Sequence, residues 1–198
     1  MHLSEGVLSG QVLLAGAVAS AGGLYMGVKR LRDQDVPKVG LLSGAFFVGS
    51  LIHIPLGPTS VHLVLNGLVG LLLGWLAFPA ILVGLVLQAV LFQFGGFTTL
   101  GVNLLIMAGP GVLVYYLFRS VLKTPLWWAG AFGAGVTGVG LGALGLSTAL
   151  YLSGEGFVTT AKLALLSHLP VAGIEGVVTA IVVGFLKKTR PEVLEAVR

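Results

Sequence analysis

Apolar residues run through most of this chain without the two- or three-to-four-residue alternation of a half-buried strand or a surface helix. The runs are long, and short clusters of charge, proline and glycine interrupt them. A spanning helix needs roughly 20 apolar residues, and the pattern predicts helices near 7–28, 39–54, 62–77, 79–95, 99–118, 126–152 and 158–186. KRLRDQDVPK, IPLGPTS, AFPA, FGGFTT, RSVLKTP and SGEGF join them. The second and third runs are short, so one of them is expected to be tilted, broken or re-entrant. IPLGPTSVH, with two prolines and a glycine, is not regular helix throughout.

Composition turns this pattern into a class. The 198 residues are 56% hydrophobic and 9% charged, with a mean hydropathy of +1.03, far from the roughly one-quarter charged composition of soluble domains. The expected fold is an all-α integral membrane protein, a polytopic bundle of about seven transmembrane helices forming a single domain over 1–198. The 31 glycines suit close helix–helix approach in such a bundle, and the small-residue runs AGAVASAGG and GAGVTGVGLGALG suggest a close-packed sliding or docking face. Cysteine is absent, which excludes disulfides and thiolate metal sites. The net charge of +4 does not indicate nucleic acid, because the basic residues flank apolar runs. Lys29, Arg30, Arg32 and Lys38 follow the first run, Arg119 and Lys123 the fifth, and Lys187, Lys188 and Arg190 the last. With seven spans all three clusters share one face. The positive-inside rule makes that face cytoplasmic, the N-terminus external and the C-terminus cytoplasmic. The first run has Glu5 and no basic residue before it, so it is expected to remain as an anchor rather than be cleaved.

This topology gathers His2, His53 and His62 at the outer side, with His168 about ten residues into the last span. Ionisable and amide groups inside spans are costly and mark functional sites by default; here they include Asn66, Gln88, Asn103, His168 and Glu175. His168 and Glu175 are two helical turns apart and so share a face. They could form a structural pair or a pocket wall. Non-helical backbone at membrane depth is tolerated where it lines a cavity or lies within protein, so loop 54–62, which contains Ser60 and ends at His62, is expected to line a pocket.

The opening MHLSEG carries a specific chemistry. The amine of Met1, the amide nitrogen of His2 and the nearer imidazole nitrogen of His2 can close a five- and a six-membered chelate ring around one metal ion. A fourth nitrogen completes the square plane that nitrogen ligands give to Ni(II) and Cu(II), and His62 is the candidate. The amine must be free and deprotonated, from a pKa near roughly 8. On the residues alone, a chance histidine in a frayed terminus is an equal alternative.

MHLSEG, GPTSVHLVLNGLVGLLLG, QAVLFQFGGFTTLGVNLLIM and HLPVAGIEGVVTA resemble, in order and over nearly the whole chain, segments of the substrate-binding (S) components of cobalt and nickel energy-coupling-factor (ECF) transporters, the CbiM/NikM family. The resemblance implies Met1, His2 and His62 as metal ligands, with segment 1–6 inserted in the metal site. Ser60, Gln88, Asn103, His168 and Glu175 are candidates for the surrounding pocket. Ile106 stands where relatives often carry asparagine.

The resemblance further implies Co2+ or Ni2+ as transported substrate, no organic cofactor, and a multi-pass location in the cytoplasmic membrane of a prokaryote. Its implied partners are a transmembrane coupling (T) protein and ATPase subunits, with a small auxiliary membrane subunit as a further separate chain if present. The chain has no GK[ST] phosphate loop, so ATP hydrolysis is expected of partners. The rival readings are a self-contained proton-coupled carrier or channel using Glu175 as relay, and an intramembrane enzyme using His168 and Glu175.

Overall fold

A computed structural model of the chain describes residues 2–56 and 59–195. Its helices are α1 (Gly10–Arg30), α2 (Val36–Gly49), α3 (Asn66–Leu73), α4 (Ala77–Phe92), α5 (Leu100–Phe118), α6 (Trp127–Ser153), α7 (Val158–Thr189) and the short α8 (Pro191–Glu195). Five stretches are long and apolar enough to cross a membrane: α1, Asn66–Phe92, α5, α6 and Glu155–Thr189. Their outward side chains, such as Leu14, Val18, Leu113, Leu163, Ile181 and Phe185, are large, apolar and exposed. That is what a lipid-facing surface requires, since lipid is as apolar as the side chains themselves.

The two short runs differ most from expectation. α2 ends at Gly49 rather than 54, and α3 starts at Asn66 rather than 62 and stops after eight residues. At 1.5 Å per residue they reach about 21 and 12 Å, short of the roughly 30 Å hydrocarbon core. Between them the chain forms an antiparallel hairpin of β1 (His53–Leu56) and β2 (Thr59–His62), with His53 opposite His62 and Pro55 opposite Ser60. The helical bundle thus carries one small β element, at the segment where proline removes helical hydrogen-bond donors. α3 follows the hairpin into the protein interior, where all eight of its residues are buried. Gly74, at φ +56°, turns the chain toward α4 against the Tyr115 ring.

Small residues let α3 sit at the centre. Gly70 lies against the backbone of Gly111 in α5, and Gly67 against that of Gly138 in α6. Gly135 in turn abuts the backbone of Glu175 and Gly176 in α7. On α1, Gly16 lies on Val102, Gly23 meets the Phe78 ring, and the Ser20 hydroxyl donates to the Gly101 carbonyl at 2.5 Å. The small-residue run of α6 is therefore close-packed and faces largely inward, whereas on α1 only Gly16, Ser20 and Gly23 of the run pack inward and Ala15, Ala17, Ala19, Ala21 and Gly22 are exposed. Gly138 and Gly142 are buried within the bundle and present no free docking face.

The basic clusters meet at one end. Arg30 stacks on Trp75, whose indole N–H donates to the Tyr116 hydroxyl at 3.1 Å, and Arg119 stacks on Tyr115 and Tyr116. Lys38 donates to the Leu72 carbonyl, and Lys187 covers Trp127. Lys162, exposed near the start of α7, belongs to the opposite end.

Candidate functional site

The N-terminal segment is held to the bundle by its backbone. Asn103, in the first turn of α5, accepts from the Leu3 N–H at 2.9 Å and donates its own amide to the Leu3 carbonyl at 3.0 Å. The Thr99 hydroxyl donates to that same carbonyl at 2.8 Å. Leu3 is buried, and so are Thr99 and Asn103. The Glu5 carboxylate accepts from the Thr98 N–H at 3.1 Å, and the Ser9 N–H donates to the Ser153 hydroxyl. This docking needs the two glycines of FGGFTT. Gly95 (φ +78°) would place a Cβ 2.8 Å from the Asn103 amide, and at Gly96 (φ +148°) a Cβ would collide with the Glu5 side chain. Both conformations favour glycine independently of space.

So anchored, the His2 ring lies beside His62 and Phe94, with ring centroids 4.8 and 5.8 Å apart. His2 Nδ1 and His62 Nε2 are 3.0 Å apart. Each ring's other nitrogen is committed to an oxygen. His62 Nδ1 lies 2.8 Å from the Leu63 carbonyl, which can only accept, so that nitrogen carries the proton. His2 Nε2 donates to Gln88 Oε1 at 2.7 Å. Burial pushes the His2 pKa down to about 3, although the Gln88 bond opposes this, so the ring is neutral and holds a single proton. The two nitrogens that face one another are thus the ones each ring does not direct at Gln88 or Leu63.

The other expected residues fall into two groups. Gln88 and Asn103 contribute directly, one to the ring of His2 and one to the backbone of Leu3. His168 and Glu175 are both buried, but neither His168 Nε2 nor Glu175 Oε2 has a hydrogen-bond partner, so these atoms do not pair with one another. His168 Nδ1 donates to the Ala164 carbonyl one turn back at 2.7 Å, and Ser167 donates to the same oxygen at 2.9 Å. Glu175 Oε1 accepts from the backbone N–H groups of Val64 and Leu65. That geometry contains no acid–base pair. Ile106, noted above as a departure from the family pattern, packs on Gly145. Ser60 is placed as a backbone position in β2. Met1 lies outside the described residues.

Thr99 and Phe94 join the site without having stood out in the sequence. Thr99 could have been found, because it precedes Asn103 by four positions and so shares its helical face. Phe94 gives no such signal, since its proximity to His2 depends on how the terminus folds back.

A family model described as the cobalt uptake substrate-specific transmembrane region matches residues 2–193. A protein of Haemophilus influenzae named for metal transport is 45% identical over 199 residues, covering 98% of this chain and 97% of the relative. A cobalt transport protein CbiM of Sorangium cellulosum is 36% identical, covering 98% and 95%. The crystal structure of a transition metal transporter superposes with a TM-score of 0.82 at 26% identity, covering 95% of this chain and 93% of that one.

Proposed function

The chain belongs to the family of cobalt uptake substrate-specific transmembrane regions, a family of transporters rather than enzymes, and on that premise we propose that it is the substrate-capture subunit of an ATP-driven ECF-type importer for Co2+ or Ni2+. The observation that carries this reading is the close approach of two imidazole nitrogens, His2 Nδ1 and His62 Nε2, 3.0 Å apart. Metal–nitrogen bonds of about 2.0–2.1 Å at a right angle separate neighbouring donors by about 2.9 Å. The His2–His62 spacing therefore suits two adjacent corners of a square plane. Among the described residues no three His, Asp or Glu side chains gather at one point. The remaining corners fall to the amide nitrogen of His2 and the amine of Met1, provided that amine is free.

The second nitrogen of each histidine is bonded to an oxygen acceptor, the arrangement that sets the tautomer and orientation of metal-ligating histidines. In this reading the His2–His62 end faces outward and the end bearing Arg30, Arg119 and Lys187 faces the cytoplasm of a prokaryotic cell. A transmembrane coupling protein, ATPase subunits and a separate small auxiliary subunit complete the importer.

Metal titration of the purified protein beginning at Met1, alongside a form with two residues added before it, tests the proposal. Native protein is expected to bind one ion tightly and the extended form to lose it. Equal affinity in both would overturn the chelate.

A further inference from the structure

We propose that Glu175 is a positioning residue for His62, fixing from α7 the backbone turn through which that histidine reaches the candidate site. The inference rests on the reading of His62 as a metal ligand. The turn is residues 63–65, between the hairpin and α3. Leu65 adopts φ +55°, a left-handed conformation disfavoured for a residue with a Cβ, which persists when its surroundings over-determine it. Leu65 also occupies the position before the first residue of α3, where a serine, threonine or aspartate side chain would ordinarily accept from the free backbone donors. It has no such side chain.

The last long helix supplies an acceptor at the N-cap residue and the residue before it, ahead of those donors. Glu175 Oε1 takes the N–H of Val64 and, at 2.9 Å, the N–H of Leu65. An acceptor oxygen at this point also suits the positive end of the α3 dipole. Glu175 is fully buried, and its backbone abuts Gly135 of α6, which fixes it from behind. The next carbonyl back along the turn, that of Leu63, receives the Nδ1 proton of His62, and the Leu63 N–H donates to Ile52 at 3.2 Å. A connected path therefore runs from the α7 carboxylate through residues 64–65 and the Leu63 carbonyl to the ring whose Nε2 faces His2.

What this path requires of position 175 is an oxygen at the right reach. Asp keeps the charge but falls short by one methylene, whereas Gln keeps the reach without the charge. Full-length E175D, E175Q, E175A and H62A proteins beginning at Met1 are titrated with Ni2+, recording affinity and the visible d–d absorption. E175D and E175A are expected to bind about 10- to 100-fold more weakly, with absorption moved toward that of H62A, while E175Q keeps native affinity and absorption. If E175A does not fold, the contrast between E175D and E175Q decides. Native behaviour in E175D, or weak binding in E175Q, overturns the proposal. If H62A itself binds and absorbs like the native protein, the reading of the site fails, independently of position 175.

Discussion

The two ends of the bundle treat charge in opposite ways. At one end Arg30, Arg119 and Lys187 lie over the faces of Trp75, Tyr115, Tyr116 and Trp127, and Lys38 bonds the Leu72 carbonyl. These cations are the protein's own, and aromatic faces and carbonyls satisfy them. At the other end one nitrogen of each ring faces an oxygen, of Gln88 for His2 and of Leu63 for His62, and the two remaining ring nitrogens face each other at 3.0 Å. One end gathers the protein's own side-chain cations on aromatic faces, whereas the other brings two imidazoles together. The difference teaches that side-chain charge is anchored at one end of the bundle and nitrogen donors are gathered at the other.

Extending the chain by two residues before Met1 should break this contrast most completely. The α-amine would leave the site, and isothermal titration with Co2+ or Ni2+ should show no tight binding. His62→Ala comes next. Removing a proposed ligand should weaken binding by more than the roughly 10- to 100-fold typical of losing an outer partner.

Gln88→Met retains approximate volume but leaves the His2 Nε2 proton without its acceptor, and a loss within that 10- to 100-fold range is expected. Asn103→Ala, which releases both backbone contacts at Leu3, should fall in the same range. Thr99→Val should cost less, since the Leu3 carbonyl keeps its bond from Asn103. Hydrogen exchange at the Leu3 amide should report undocking of the segment in the Asn103 variant and weaker protection in the Thr99 variant. At the aromatic end, Arg119→Ala should leave metal affinity unchanged and cost on the order of 1 kcal/mol of stability, the scale of a cation–π contact, read by thermal unfolding. A large loss of metal binding in that variant would erase the distinction between the ends.

Much of this was legible in the chain because lipid imposes simple demands. Long apolar runs had to be helices, and the basic clusters had to gather. His2 could be singled out because position 2 is special for chelation whatever the fold. The short runs were harder. Residues 39–54 and 62–77 look helical by hydropathy, yet the prolines between them favour a hairpin and leave α3 as a buried half-helix. Likewise, the spacing of His168 and Glu175 correctly put both inside, but spacing along one helix carries no information about partners on others.

The sequence by itself determined the membrane class, the clustering of basic residues and the donor types MHLSEG and TSVH can offer, because these follow from local composition and covalent geometry. The tertiary structure decided that His2 and His62 stand 3.0 Å apart, and that Glu175 bonds the turn behind His62 rather than pairing with His168. Those outcomes depend on contacts between residues up to 111 positions apart. They arise from close glycine packing of α3 against α5 and α6 and of α6 against α7, which no local pattern encodes.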